Sequence, residues 1–117
     1  MSKPERELTK TLFGLGFLTK AQKCLHENNK RYVYDIICKN KLIEFNGDYW
    51  HCNPKKYASN FYNKSKKMLA QQIWDNDKKK IEVAESQGYK VMTVWESDWK
   101  INKQKCIDEC VRFLSDD

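Results

Sequence analysis

At 117 residues, 40% hydrophobic and 13% aromatic, the chain is expected to fold as one packed domain spanning 1–117, not a disordered tail. No apolar run approaches the ~18 residues of a membrane span, and MSKPERELTK lacks the apolar stretch of a secretory signal, so a cytoplasmic protein without a membrane partner is expected. The net charge of +6 is uneven, since residues 53–80 carry eight Lys/Arg against two acids, which equals the whole excess. That segment also holds Tyr57, Phe61, Tyr62 and Trp74. Lysines interleaved with aromatics suit a phosphate backbone, and equally a solvated lysine-rich helix.

Along the chain, Ser2 followed three residues later by Glu5, with Pro4 between them, predicts a helix start. Leu8, Leu12, Phe13 and Leu15 supply its apolar face, and Gly14 and Gly16 end it. A strand is expected over 17–25 and a turn over 26–30. RYVYDIIC (31–38) and KLIEFNG (41–47) read as strands joined by Lys39-Asn40, a hairpin whose asparagine tolerates a left-handed backbone. Residues 48–63 read as loop. A long helix is expected from about Lys64 to Gln87, with Leu69, Ile73, Trp74, Ile81 and Ala84 on one side and Gly88 as its stop. YKVMTVW (89–95) reads as a buried strand, and Asp98 as the cap of a last helix carrying Ile107, Cys110, Val111 and Leu114. The predicted order is α-β-β-β-α-β-α, an α/β fold with a mixed sheet.

The five cysteines show no disulfide framework and are expected to stay free in a reducing compartment. Cys24, His26, Cys106 and Cys110 offer ligand types for zinc. The four-residue spacing of the last two reads better as a buried helical face, so no structural zinc is expected.

The hairpin makes the sharpest statement. With Lys39-Asn40 as the turn, Cys38 faces Lys41, Ile37 faces Leu42, Ile36 faces Ile43 and Asp35 faces Glu44. Two carboxylates opposite each other on one sheet face repel. A divalent cation between them removes the repulsion, because Mg²⁺ takes hard oxygen ligands and one or two carboxylates suffice. Exposure of one acid, or a lysine partner such as Lys41, is the alternative. His51 follows beyond Gly47, close enough to fold back and serve a water or a phosphate oxygen. Asp48 reads as a turn residue.

These residues in this order resemble the restriction-endonuclease-like PD-(D/E)XK nuclease core. More narrowly they resemble the very-short-patch (Vsr) mismatch-repair endonucleases and the related phage homing endonucleases with an EDxHD motif. The likeness covers nearly the whole chain: Glu5-Arg-Glu-Leu8 through Gly16, Tyr34-Asp35, Ile43-Glu-Phe-Asn-Gly-Asp-Tyr-Trp-His51, then Trp74 to Asp77, Lys80, Ala84, Gly88-Tyr89 and Val94-Trp95-Glu96. It implies a Mg²⁺- or Mn²⁺-dependent DNA endonuclease in a bacterial or phage-infected cell. Asp35 would bind the metal, joined by Glu44 or the backbone carbonyl of Phe45. His51 would assist the water or the phosphate, and Glu5 would orient a metal-bound water. Tyr49 and Trp50 would wedge between base pairs, with packing under the loop as the alternative for Trp50.

The chain departs from the family at Asn46, where the repair enzymes carry histidine and the wider pattern lysine, and it lacks the repair enzymes' zinc-ligand spacing. Lys55, Lys56, Lys64, Lys66, Lys67, Lys78, Lys79 and Lys80 are expected to hold the backbone of double-stranded DNA. With little surface left for reading a long site, a homodimer, a partner protein or low specificity is expected. The rivals are a non-cleaving DNA- or partner-binding module, which Asn46 favours, and a structure-selective resolvase.

Overall fold

Ser2 caps the first helix, α1 (Lys3–Gly14), in the computed structural model, which describes residues 2–116. Its hydroxyl accepts the Glu5 N–H at 3.3 Å and donates to the Glu5 carboxylate at 3.2 Å, fixing Glu5 in the first turn. Leu8 and Leu12 are buried, whereas Phe13 and Leu15, expected on the same face, are 60% and 56% exposed. The apolar face of α1 is therefore narrower than its composition suggests.

Strand β1 (Lys20–Glu27) starts later than expected and runs through His26. Asn28 and Asn29, both at positive φ, turn the chain into β2 (Lys30–Cys38). The next turn, Lys39-Asn40, leads into β3 (Lys41–Asn46) as expected, but Lys39 (φ 55°), not Asn40, takes the left-handed conformation. The register is the expected one over three pairs: Ile36 with Ile43, Ile37 with Leu42 and Cys38 with Lys41.

Two later regions differ from expectation. Residues 48–69 are not plain loop and helix start: β4 (Tyr62–Asn63) and β5 (Met68–Leu69) form a short hairpin, and α2 (Ala70–Ser86) begins six residues later than Lys64. The reason is Asn63, fully buried, whose carboxamide oxygen accepts the N–H groups of Ser65 and Lys66 and whose amide donates to the Tyr49 carbonyl. A side chain that satisfies the backbone locally competes with the helix. After Gly88 (φ +93°) and β6 (Lys90–Trp95), the expected last helix is two: α3 (Glu96–Ile101) and α4 (Lys103–Ser115). Asp98 lies inside α3, and Asn102 is the cap, accepting the Lys105 N–H at 3.1 Å.

The fold is mixed α/β, with four helices and a four-stranded mixed sheet ordered β1-β2-β3-β6 among the described residues. The first two pairings are antiparallel and β3–β6 is parallel. Leu8, Leu12, Trp99, Ile107 and Cys110 pack on one sheet face with Ile36, Ile43 and Phe45, so α1, α3 and α4 form one layer. Ala84 of α2 packs on the other face with Leu25, Tyr34 and Leu42. A third, small core of Cys52, Ala70 and Ile73 anchors the excursion after β3. Each apolar side chain fully buried in these cores contributes roughly 1.5–3 kcal/mol relative to exposure. Cys106 and Cys110 share the buried face of α4, and burial pushes the Cys110 thiol up to about 12. Among the described residues no helix is long and apolar enough to cross a membrane.

Candidate active site

The ladder of β2 lapses on both sides at Asp35. Towards β3 it stops at Ile36–Ile43; towards β1 it skips Gln22, whose φ of 58° removes it from the pairing opposite Asp35. Tyr34 and Ile36, which share a face in a regular strand, lie instead in the cores on opposite faces of the sheet. The strand is twisted at the acid between them.

The two carboxylates fill the gap. Glu44 Oε1 accepts the Asp35 N–H at 2.9 Å, and Asp35 Oδ2 accepts the Phe45 N–H at 2.8 Å. Asp35 and Glu44 thus do not face each other as a ladder pair, which corrects the expected geometry. Each takes a backbone donor of the opposite strand in place of a ladder bond. The arrangement satisfies two backbone N–H groups and brings two acids to one spot. Glu44 Oε2 also accepts the Lys80 ammonium at 2.5 Å. Asp35 Oδ1 has no hydrogen-bond partner among the described residues.

Around these acids lies a cavity of about 380 Å³, lined among others by Glu5, Asp35, Glu44, Phe45, Asn46, Trp50, His51, Lys80 and Glu96. The cavity gathers every residue predicted for catalysis or metal binding. The Phe45 ring is turned away, edge-on to Trp99 at 5.8 Å. Burial pushes the Glu5 carboxyl above its ordinary value, and the Asp35 charge adds to the rise. Burial likewise raises Glu44; Lys80 offsets part of that and Asp35 adds to it. One ammonium therefore leaves the negative potential of the acids only partly compensated.

His51 is positioned by its own loop and by α2. Its N–H donates to the Gly47 carbonyl, folding the chain back after β3, and its Nδ1 lies 2.9 Å from Asp77 Oδ2. A carboxylate partner makes Nδ1 the protonated nitrogen, leaving Nε2 as the acceptor towards the cavity. Asp48 is more than a turn residue. Its carboxylate accepts from Asn53 at 2.9 Å, Ser97 at 3.1 Å and Lys56 at 3.1 Å, tying the loop to α3. Burial alone would raise its pKa, but these bonds outweigh it and hold Asp48 below the ordinary value.

The sequence gives Asp77 no role and expects Lys80 only to hold the DNA backbone, whereas Asp77 lies against His51 and Lys80 against Glu44 in the cavity. Their signal was present: three residues apart on a helix, they share a face, the one turned towards β3. Lys80 is anchored at both ends, with the Tyr34 hydroxyl donating to its carbonyl at 2.7 Å and its ammonium 4.9 Å from the Tyr34 ring centroid. Burial, then the Glu44 charge, pushes the Tyr34 hydroxyl up to about 12.

The residues predicted for DNA are dispersed. Trp50 is 54% exposed at the cavity, while Tyr49 is wedged between Trp50 and Tyr57 with its hydroxyl 3.2 Å from Ser65. Lys64, Lys66 and Lys67 sit together on the β4–β5 turn. Lys56 pairs with Asp48, Lys79 with Glu27 at 3.3 Å, and Lys55 lines a separate hollow with Asp98, Lys105 and Glu109. Lys78 is exposed on α2.

Among the described residues no three His, Cys, Asp or Glu side chains converge as a metal cluster. Mg²⁺ does not require one, since it keeps most of its waters and binds through one or two carboxylates. The unpartnered Oδ1 of Asp35, in a cavity with surplus negative charge, fits such an ion. No protein-family model and no curated protein matches the chain.

Proposed function

We propose that the chain is a hydrolase of phosphodiester bonds that depends on a divalent cation. Within that class the reading is narrower: a DNA endonuclease of the Vsr-like group on a restriction-endonuclease-like core. The observation that carries it is the open end of the β2–β3 hairpin, where Asp35 and Glu44 replace ladder bonds at the wall of a cavity that Glu5, Asn46 and His51 also line. The chain order supports the narrower step. Glu5, Asp35, Asn46, His51 and Asp77 read E-D-x-H-D, and four of the five line the cavity while the fifth holds His51.

When bound, Mg²⁺ or Mn²⁺ supplies Lewis acidity toward a phosphate oxygen and a water. Asp35 would hold it through Oδ1, with Glu5 oriented to its water shell and the backbone of Phe45 beside it. His51, its tautomer fixed by Asp77, would accept a proton at Nε2 from the attacking water or return one to the leaving oxygen. Asn46 would donate its amide to a phosphate oxygen. Trp50 would meet the bases at the cavity mouth, with Tyr49 bracing it. The lysines of the β4–β5 turn would hold the backbone, so that binding falls steeply with salt.

Nicking of supercoiled plasmid in Mg²⁺, against EDTA and against Asp35→Asn, tests this. Cutting that requires both the cation and Asp35 is expected. Duplex binding without cutting of plasmid, linear or branched DNA would favour a non-cleaving module, the reading that Asn46 suggests.

A further inference from the structure

We infer that Glu44 is not a metal ligand but the residue that positions Lys80, and that Lys80 is a catalytic residue whose ammonium contacts the phosphate being cut. The inference rests on the nuclease reading and revises its division of labour.

The carboxylate oxygens of the two acids meet different partners. Glu44 is 7% exposed, and both of its oxygens are engaged, Oε1 by the Asp35 N–H and Oε2 by Lys80 at 2.5 Å. A cation placed on Oε2 would sit beside an ammonium, with like charges in a partly desolvated site. Asp35 differs: one oxygen holds the Phe45 N–H and the other is unpartnered. The two acids of the hairpin are therefore not equivalent, and only Asp35 offers a metal an oxygen without a hydrogen-bond partner among the described residues.

Lys80 has three donors, and Glu44 takes one. No other hydrogen bond from the ammonium forms among the described residues, although the side chain is only 24% exposed and lines the cavity. A purely structural ion pair needs no such placement. The tether to Tyr34 at the backbone and over the ring holds the side chain extended towards the cavity. Two donors presented in the cavity that Asp35 also lines suit an anion held between ammonium and metal. The charge matches one phosphodiester. Three other lysines predicted for DNA, Lys64, Lys66 and Lys67, lie outside the cavity lining.

Two measurements that need no turnover test this on the full chain. In the first, Mn²⁺ binding is titrated by electron paramagnetic resonance for the wild type, Asp35→Asn and Glu44→Gln. Asp35→Asn is expected to weaken Mn²⁺ by about tenfold or more, and Glu44→Gln by less than about threefold. Loss with Glu44→Gln equal to that with Asp35→Asn would overturn the inference and leave the nuclease reading intact. An unchanged titration with Asp35→Asn would instead sink the metal site itself. In the second, duplex binding in Ca²⁺ is followed against salt. Lys80→Met, which retains the aliphatic stem, is expected to reduce the slope of log K against log salt by about 0.9, one phosphate contact. An unchanged slope in a variant that melts like the wild type would show that Lys80 only braces Glu44. Should Glu44→Gln fail to fold, the Mn²⁺ titration of Lys80→Met substitutes for it. Freed of its ammonium, Glu44 should then leave Mn²⁺ affinity unchanged or tighter, and a loss would contradict the assignment.

Discussion

The two ends of the β2–β3 hairpin differ in kind. At the turn end, Ile36, Ile37 and Cys38 pair in register with Ile43, Leu42 and Lys41, and the one charged group in those pairs is shut away from solvent. That group, Lys41, is 4% exposed, donates to the Phe113 carbonyl at 2.5 Å and lies 5.5 Å from the Phe113 ring centroid. At the open end the ladder gives way to two carboxylates, and the nearest lysine, Lys80, keeps donors free towards a cavity. Both ends bury charge. One end seals it inside the fold, and the other leaves an acid oxygen unpartnered and an ammonium at the wall of a cavity. Polar groups that cost folding free energy without being saturated by the protein mark the end built for a ligand.

The largest effect that sharpens this contrast is expected from Asp35→Asn. Cation-dependent cutting should fall on the order of a thousandfold, since several kcal/mol of charge stabilisation is removed. The amide can still accept the Phe45 N–H, and the charge that raises Glu5 and Glu44 is gone. Melting without metal should therefore rise by roughly 4 °C, as about 1 kcal/mol of repulsion is relieved. A drop in melting temperature would mean that Asp35 serves the fold.

Next comes the imidazole. His51→Ala is expected to slow cutting by about 10²–10⁴-fold in single-turnover assays, with duplex binding retained. Asp77→Asn should cost less, about tenfold to a hundredfold, because the ring stays and only its tautomer is freed. Equal losses in duplex binding would assign both residues to recognition instead. At the turn end the pattern should invert. Ile43→Ala, at a side chain 1% exposed, is expected to cost about 2–5 kcal/mol in urea unfolding while the stabilisation conferred by Mn²⁺ is unchanged.

The smallest effect is in pH. The folded pKa values of Glu44 and Glu5 lie above their unfolded value of 4.5, so the folded state binds more protons. Their contribution is fully present below pH 4.5 and is lost as the pH rises through the raised values. A divalent cation should restore it, so melting curves with and without Mg²⁺ should separate as the pH rises above 4.5. Asp48 has the opposite sign. Its lowered pKa gives stability that is present above 3.8 and lost as the pH falls through the folded value.

What the sequence exposes of the site is what a single hairpin can specify. A two-residue connection at Lys39-Asn40 fixes the register, and the register alone brings Asp35 and Glu44 to the same level. It could not reveal that the acids leave the ladder, because that depends on Gln22 lapsing on the far side of β2 and on a twist between Tyr34 and Ile36. Asp77 and Lys80 reach the site from a helix on the other side of the sheet, and periodicity gives their shared face but not what it meets. The late start of α2 and the break before α4 have one cause. Asn63 and Asn102 each satisfy backbone donors with a side chain, a local choice that averaged helix propensity does not register.

The nuclease reading stands most directly on where a cation binds. A crystal soaked in Mn²⁺ and measured for anomalous scattering should place one peak beside the free oxygen of Asp35, inside the cavity shared with Glu5, His51 and Lys80. Saturating Mn²⁺ with no peak at that oxygen would contradict it, and the paired acids of the hairpin would then need a purely structural explanation.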